Sequence, residues 1–387
     1  MSTTGSVVQH LYVHVPFCAR KCEYCAFYSA PGTGEQVQRY VRALERELEL
    51  VAARLRPRTI FFGGGTPSLL TLAQWHQICR CLERLNLLGA AEWTIECNPA
   101  TVSPDKARLW RDYGVNRLSL GVQSLDETLL DRLGRVHSRA MVFKTFDLLR
   151  RAGFANLNLD LMFAIPGQTM ETWQATLREA LALGSEHLSC YEVTYEEDTP
   201  LYEQMRAGAF DVDEDLADAM YQALCDAAAR AGFRQYEVSN FARDLPGAAG
   251  RLPHYACQHN VNYWRGGAFL GLGPSAAEFV DGVRTKNWSN TTLYCERLES
   301  GRRAIESRDV LTPLQRAGEI AGFGLRMNVG WDFAEFTAVT GFDLRHEWAA
   351  DLAALVRCGH ALQDATSFRL TPRGLRFADA AAERFLR

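Results

Sequence analysis

The chain lacks the features that would place it in several broad classes. No apolar run reaches the roughly 18 residues that a membrane-spanning helix needs. The first ten residues, MSTTGSVVQH, carry no charged segment followed by an apolar one, so no secretory leader is expected. Positive charge is not in excess: 42 Lys and Arg face 46 Asp and Glu, a net charge of -4. That balance argues against a general nucleic-acid binder. There is no G-x-G-x-x-G, no low-complexity tract and no fixed-period repeat beyond a βα alternation. The expectation is a cytoplasmic protein without a nucleic-acid partner. A peripheral membrane contact and a homodimer stay compatible with this composition.

What is present begins with size. The 387 residues, 47% of them hydrophobic, can bury a large core as two or three domains or as one barrel with an appendage. Eleven cysteines occur. In a reducing compartment clustered cysteines read as metal ligands or catalysts rather than disulfides. Only Cys18, Cys22 and Cys25 cluster. Cys79 and Cys81 share a helical stretch with no third partner. The others are scattered, and most of these read as small core hydrophobes.

Short β-rich runs alternate with helical patterns. Strands are predicted at 11–17, 59–65, 92–98, 117–124, 156–167 and 187–194, with helices such as 37–55 and 170–184 between them. Six strands with crossover helices imply a parallel sheet, either an open doubly wound one or a barrel. Each strand ends in a polar or glycine-rich group: Tyr12 and His14, Gly64-Gly65-Thr66, Glu96, Gln123, Asp160, and Tyr191 with Thr194. Barrel loops converge on one face, whereas an open sheet concentrates its site at a single crevice. The pattern favours an α/β fold built on an incomplete six-stranded TIM-type (β/α)6 barrel. One or two of these polar groups read equally well as caps or satisfied core residues.

The expected organisation is a partial barrel over 1–240, a connecting segment rich in Gly and aromatics over 241–305, and a smaller α+β, winged-helix-like C-terminal domain over 306–387. The connecting segment reads as loops and short strands over the barrel mouth.

The stretch CARKCEYCAF, 18–27, holds three thiols in C-x3-C-x2-C spacing, with Phe27 where a fourth ligand would fall. Three thiolates suit a 4Fe–4S cluster with one open iron, which can chelate the amino and carboxylate groups of S-adenosylmethionine. Zinc with His14 as fourth ligand is the competing reading. The turn FFGGGTPS, 61–68, follows a strand and lets backbone approach a ligand closely. A plain tight turn rarely needs three glycines in a row.

These pieces, YVHVPFCARKCEYC, GGGTP, ECNP, GVQS and HNVNYW, together resemble the radical S-adenosylmethionine superfamily. Within it they are most similar to the branch holding oxygen-independent coproporphyrinogen III oxidase and the related heme chaperones. The resemblance covers most of the chain. It implies that Cys18, Cys22 and Cys25 hold a 4Fe–4S cluster and that Tyr12 lies beside it. It further implies that Gly64, Gly65 and Thr66 contact the S-adenosylmethionine amine and carboxylate. Glu96, Gln123, Arg135 and Asp160 would hold the rest of that ligand, and Thr194 its adenine side. The chemistry suits these roles, since carboxylates accept from hydroxyls or an amine and a guanidinium forks onto a carboxylate.

Two features bear on oxidase against chaperone. The oxidase pattern continues to a fourth cysteine, C-x3-C-x2-C-x-C, where this chain has Phe27. His259 opens HNVNYW, which matches the HNxxYW element of the chaperone group. A neutral imidazole can ligate heme iron, with Tyr263 and Trp264 flanking the ring. Equally, the element can pin a loop, with its imidazole hydrogen-bonded. Cys257 is an alternative ligand, and the sequence does not rank the two. The expected function is a heme chaperone that passes heme to an unidentified acceptor protein and carries the cluster and S-adenosylmethionine. The alternative is oxidative decarboxylation of coproporphyrinogen III, and cleavage of S-adenosylmethionine is compatible with either.

Overall fold

The computed structural model describes residues 6–248 and 250–387. The first five residues of the segment read above as lacking a leader lie outside the described residues. Six strands pair in chain order, each parallel to the next: β1 (Val8–Val15), β2 (Leu55–Gly64), β3 (Glu92–Cys97), β4 (Arg117–Gln123), β5 (Leu157–Phe163) and β6 (His187–Glu192). The crossovers are α1 (Gly34–Val51), α2 (Leu72–Arg84), α3 (Pro104–Asp112), the pair α4 (Glu127–Arg132) and α5 (Arg139–Arg151), and α6 (Met170–Ala182). This is the incomplete barrel that the strand pattern predicts.

Local sequence explains the elements. Thr33 with Gln36 and Thr71 with Gln74 form reciprocal capping boxes at the starts of α1 and α2. In α1, Tyr40, Leu44 and Leu48 recur one turn apart, are fully buried and pack in the main core. Such side chains contribute roughly 1.5–3 kcal/mol each on burial. In β5 the alternation sorts Leu157, Leu159 and Leu161 to one face and Asn158 and Asp160 to the other. The leucines join the core, while the polar pair faces the barrel lumen.

Three short strands extend the sheet beyond expectation. After α7 (Pro200–Arg206) and α8 (Glu214–Arg230), the hairpin β7 (Phe233–Glu237) and β8 (Asn240–Arg243) adds antiparallel to β6. At the opposite edge β9 (Leu270–Leu272) runs parallel to β1. It is three residues long, with a glycine at its centre and another just after it, too short to show a period.

The connecting segment also contains a helix, α9 (Gln258–Trp264). It packs at the N-terminal end of the barrel strands, against Glu92 at the start of β3 and Thr59 in β2. The expectation that this segment covers the mouth is therefore corrected for its HNVNYW portion. Four residues separate Glu92 from Glu96, about 13 Å along the strand, so α9 closes the opposite end. The physical reason is capping. The N-cap Cys257 offers no side-chain bond, and the buried Glu92 carboxylate accepts instead from Gln258 N (2.9 Å) and His259 N (3.0 Å).

Beyond β9, an antiparallel sheet of β10 (Ala277–Val280), β11 (Val283–Asn287) and β12 (Ile305–Val310) encloses α10 (Thr291–Glu299) in its last connection. Fully buried Glu47 of α1 fastens this region. Its two oxygens accept from Gly273 N (2.9 Å), Tyr294 OH (2.7 Å), Asn287 Nδ2 (2.9 Å) and Arg303 Nη2 (3.4 Å). From α11 (Pro313–Leu325) onward, helices and a small three-stranded sheet share a separate core that includes Trp331, Trp348, Phe368 and Phe385. Among the described residues no helix is long and apolar enough to cross a membrane.

Candidate functional site

A cavity of about 480 Å³ opens at the C-terminal ends of the barrel strands. One wall is the loop carrying Cys18, Cys22 and Cys25; another is the glycine turn with Gly64, Gly65 and Thr66. Glu96, Gln123, Arg135, Asp160 and Thr194 also line it. The barrel register thus gathers eleven of the thirteen expected site residues. Tyr12 and His259 are not among the lining groups.

Each loop is held by identifiable contacts. Cys18 N donates to Ala30 O (3.2 Å), and Cys18 Sγ lies 3.3 Å from Thr66 Oγ1, which ties the cysteine loop to the glycine turn. Arg135 donates to Gly121 O (2.6 Å) through Nη2 and to Cys22 Sγ (3.4 Å) through Nη1. Its buried Nε has no partner among the described residues. Burial pushes the Cys25 thiol up, partly offset by a hydrogen bond from the Phe27 backbone. A metal that binds thiolates must displace that proton.

The glycine turn has two jobs. Gly65 N and Thr66 N donate to Val15 O and Phe17 O (2.8 Å each), zipping the turn onto β1. A Cβ at Gly65 would meet those same backbone atoms at 2.6–2.9 Å. Gly64 has φ +98°, and a Cβ there would sit 2.4 Å from the His14 ring. Close packing alone therefore requires these glycines.

His14, the competing fourth ligand for zinc, is committed elsewhere. Its Nε2 donates to Tyr28 O (2.8 Å), so Nδ1 carries the lone pair that accepts from Tyr12 OH (3.0 Å). Tyr12 thus stands one layer behind the cavity wall, supporting His14 under the glycine turn. Among the described residues no three His, Cys, Asp or Glu side chains converge to hold a single metal ion. The three thiols sit on one loop that forms a wall of the cavity.

Deeper in the cavity lie two carboxyls. Glu96 Oε2 accepts from Gly64 N (3.1 Å). Burial, reinforced by Asp160, pushes Glu96 up to about 8. Burial raises Asp160 as well, opposed by hydrogen bonds from Ser119 Oγ (3.1 Å) and Asn158 Nδ2 (2.7 Å) and by the buried Arg117 guanidinium. Two adjacent acids that resist ionisation favour a ligand bringing positive charge or hydroxyl donors. At the end of β4 a bulge gives Gln123 a φ of +65° and turns it to the cavity. Sequence reasoning missed the half-buried Tyr24 and Ser119 in the lining; for Ser119 the signal was its alternation with Gly121 along β4.

His259 sits in α9 and is 1% exposed. Nδ1 lies 2.7 Å from Thr59 Oγ1 and Nε2 lies 2.8 Å from Tyr263 OH, with Phe61 stacked at 5.2 Å between ring centroids. Burial first, then His10 and Arg117, push its pKa down to about 3. Both nitrogens are used, so the residue is not free to ligate iron in this conformation. Tyr263 and Trp264, expected to flank a heme, are likewise engaged. Trp264 packs toward Phe323 of α11 and under the Arg326 guanidinium. Cys257 is fully buried beside Glu92, and burial pushes its thiol up to about 12.

This fold and this thiol-lined cavity define a member of the radical SAM superfamily, and residues 12–180 match the Radical SAM superfamily itself. Residues 311–377 match the HemN C-terminal domain. The heme chaperone HemW of Escherichia coli (strain K12) is 34% identical over 97% of each chain, and that of Bacillus subtilis (strain 168) is 33% identical over 94% of this chain and 95% of its own. The chain belongs to the HemW family. Among solved structures, coproporphyrinogen III oxidase (HemN) from Escherichia coli superposes with a TM-score of 0.83 at 23% identity, covering 98% of this chain and 90% of that one. At that identity the likeness speaks for the fold.

Proposed function

We propose that the chain is a heme chaperone whose cavity holds a 4Fe–4S cluster and S-adenosylmethionine, and that it hands heme to an acceptor protein. One observation carries the reading: three thiols and the expected cofactor-binding side chains line a single cavity, while Phe27 stands 68% exposed at its rim where the oxidase pattern has a thiol.

Cys18, Cys22 and Cys25 would hold the cluster, and Arg135 donates to Cys22 Sγ. Gly64, Gly65 and Thr66 offer backbone and hydroxyl groups to the amino-acid end of the nucleoside ligand. Glu96, Gln123, Asp160 and Thr194 offer acceptors and donors to the remainder, and the orphaned Nε of Arg135 is a donor still to be used. When bound, the cluster supplies an electron that can cleave the sulfonium. Tyr12 supports the cavity from behind through His14. His259 remains the candidate axial ligand for heme, on condition that α9 leaves its seat and breaks the bonds to Thr59 and Tyr263.

The test is anaerobic reconstitution followed by iron and sulfide analysis and a hemin titration. The expected result is about four irons per chain, the content of one cubane cluster, with a saturable Soret band that His259→Ala weakens. Absence of a saturable band sinks the chaperone reading. Vinyl product from coproporphyrinogen III in the same preparation would move it to the oxidase.

A further inference from the structure

The barrel lumen contains a chain of hydrogen bonds whose direction is fixed at every step. It starts from Asp160 in its ionised form, which only accepts. The group 2.7 Å from Asp160 Oδ1 must therefore be the amide nitrogen of Asn158, which also donates to Ser119 Oγ at 2.6 Å. That orientation points Asn158 Oδ1 at His187 Nδ1, 2.6 Å away, so Nδ1 carries the proton. His187 Nε2 is then an acceptor, and Tyr236 OH, at 2.8 Å, donates to it. The Tyr236 oxygen in turn accepts from Cys257 N at 3.1 Å. Cys257 is the N-cap of α9. All donors point one way, from the helix that closes the barrel to the acid in the cavity.

A second link runs beside the first. The Glu92 carboxylate holds the first amides of α9, and the buried guanidinium of Arg117 acts on the groups around it. Its positive charge opposes protonation of Asp160 and favours the ionised form of Cys257. Arg117 Nε and Thr94 Oγ1 lack partners among the described residues, so the lumen holds polar groups that can still rearrange. Mutually satisfied groups can fill a polar lumen without coupling its two ends. Ser189 Oγ donates to Asn158 Oδ1 at 3.2 Å as well as to Asn240 Oδ1 at 2.7 Å, so it joins the chain at its Asp160 end. The His187 path joins Asp160 to α9 by an unbroken run of hydrogen bonds.

We infer that His187 is a positioning residue, and that through it the seat of α9 and the state of Asp160 are coupled. A ligand that fixes Asp160 as an acceptor strengthens each donor behind it and tightens the Cys257 end of α9. Conversely, an α9 drawn from its seat removes the last donor and loosens Asp160. The two effects are equal in free energy because coupling is reciprocal. This inference rests on the proposal that the cavity binds S-adenosylmethionine. It adds that occupancy of the cavity is felt by the helix that carries His259.

The experiment is hydrogen–deuterium exchange of the full reconstituted chain with and without S-adenosylmethionine, alongside equilibrium dialysis of the same ligand. In the wild type, the ligand should slow exchange at the glycine turn and also at the amides of residues 257–259. Tyr236→Phe removes one hydroxyl and leaves the ring. It should weaken ligand affinity by about fivefold, the worth of one hydrogen bond, and abolish the ligand-induced slowing at 257–259 while leaving that at the glycine turn. Tyr221→Phe, the same change at a hydroxyl that bonds Val238 O outside the path, should keep both responses. If His187→Ala folds poorly, Tyr236→Phe still decides. A purely structural role predicts faster basal exchange in Tyr236→Phe with the ligand response at 257–259 intact, and that result overturns the coupling. Wild-type protein that binds no S-adenosylmethionine overturns the cavity proposal itself; ligand binding with no change at α9 overturns only the coupling.

Discussion

Glu96 makes the proposed ligand site pH-dependent in a calculable way. Buried beside Asp160, it is pushed up to about 8. Gly64 N already occupies Oε2, so a ligand amine or hydroxyl needs an ionised carboxylate to accept its hydrogens. With a pKa near 8, roughly 3% of the free protein is ionised at pH 6.5 and about 76% at pH 8.5, so affinity for S-adenosylmethionine should rise about 25-fold across that interval. Binding near pH 7 should also release close to one proton. Isothermal titration in two buffers of different ionisation enthalpy reads the proton, and Kd against pH reads the slope. Glu96→Gln removes the titrating group, so any slope that survives in it belongs to the ligand's own amine. A wild-type slope identical to that of Glu96→Gln refutes the assignment. The same shift affects stability. Because the folded pKa is raised, the contribution is full below the ordinary carboxylate range and is lost as pH rises through about 8. Ligand-free wild type should therefore lose stability between pH 5 and 8.5 relative to Glu96→Gln, as urea midpoints would report.

Two further substitutions test the frame. Gly64→Ala places a methyl 2.4 Å from the His14 ring at φ +98° and should cost about 2–4 kcal/mol, seen as a lower urea midpoint; an unchanged midpoint means the turn relaxes freely. Glu47→Gln removes the charge beneath Arg303 and sets an amide against four donors, so it should cost about 3 kcal/mol while leaving the 12–180 region able to hold iron. Loss of both stability and iron would show that the two regions fold as one unit.

The alternation of strands and helices and the polar strand ends made the barrel legible, because both follow from local periodicity. The convergence of Cys18, Gly64, Glu96, Gln123 and Asp160 followed from the rule that barrel loops share one face. Three things did not follow. The β9 strand is three residues of Gly and Leu, recruited by the open edge of β1 rather than by propensity of its own. The place of α9 depends on Glu92, a partner more than 160 residues away in sequence, which no local pattern reveals. The lumen chain joins Asn158, His187 and Tyr236 only through the register of β5, β6 and the β7–β8 hairpin. Gly64 and Gly65 also have a packing reason, contact with β1 and the residues just after it, that is independent of any ligand.

The pairing of Leu11 with Leu270 sets a timetable for synthesis. When residue 243 leaves the ribosome, all six core strands and the β7–β8 hairpin have been made, yet β1 still exposes an unsatisfied edge and Glu92 is a bare carboxylate facing an open lumen. Glu92 waits for some fifteen more residues and β1 for some thirty. Such long-range closure is slow and leaves sticky edges exposed meanwhile. A nascent chain stalled in that interval is a template for wrong strand pairing, so slow translation just before α9 should lower the yield of native protein more than slow translation after β9.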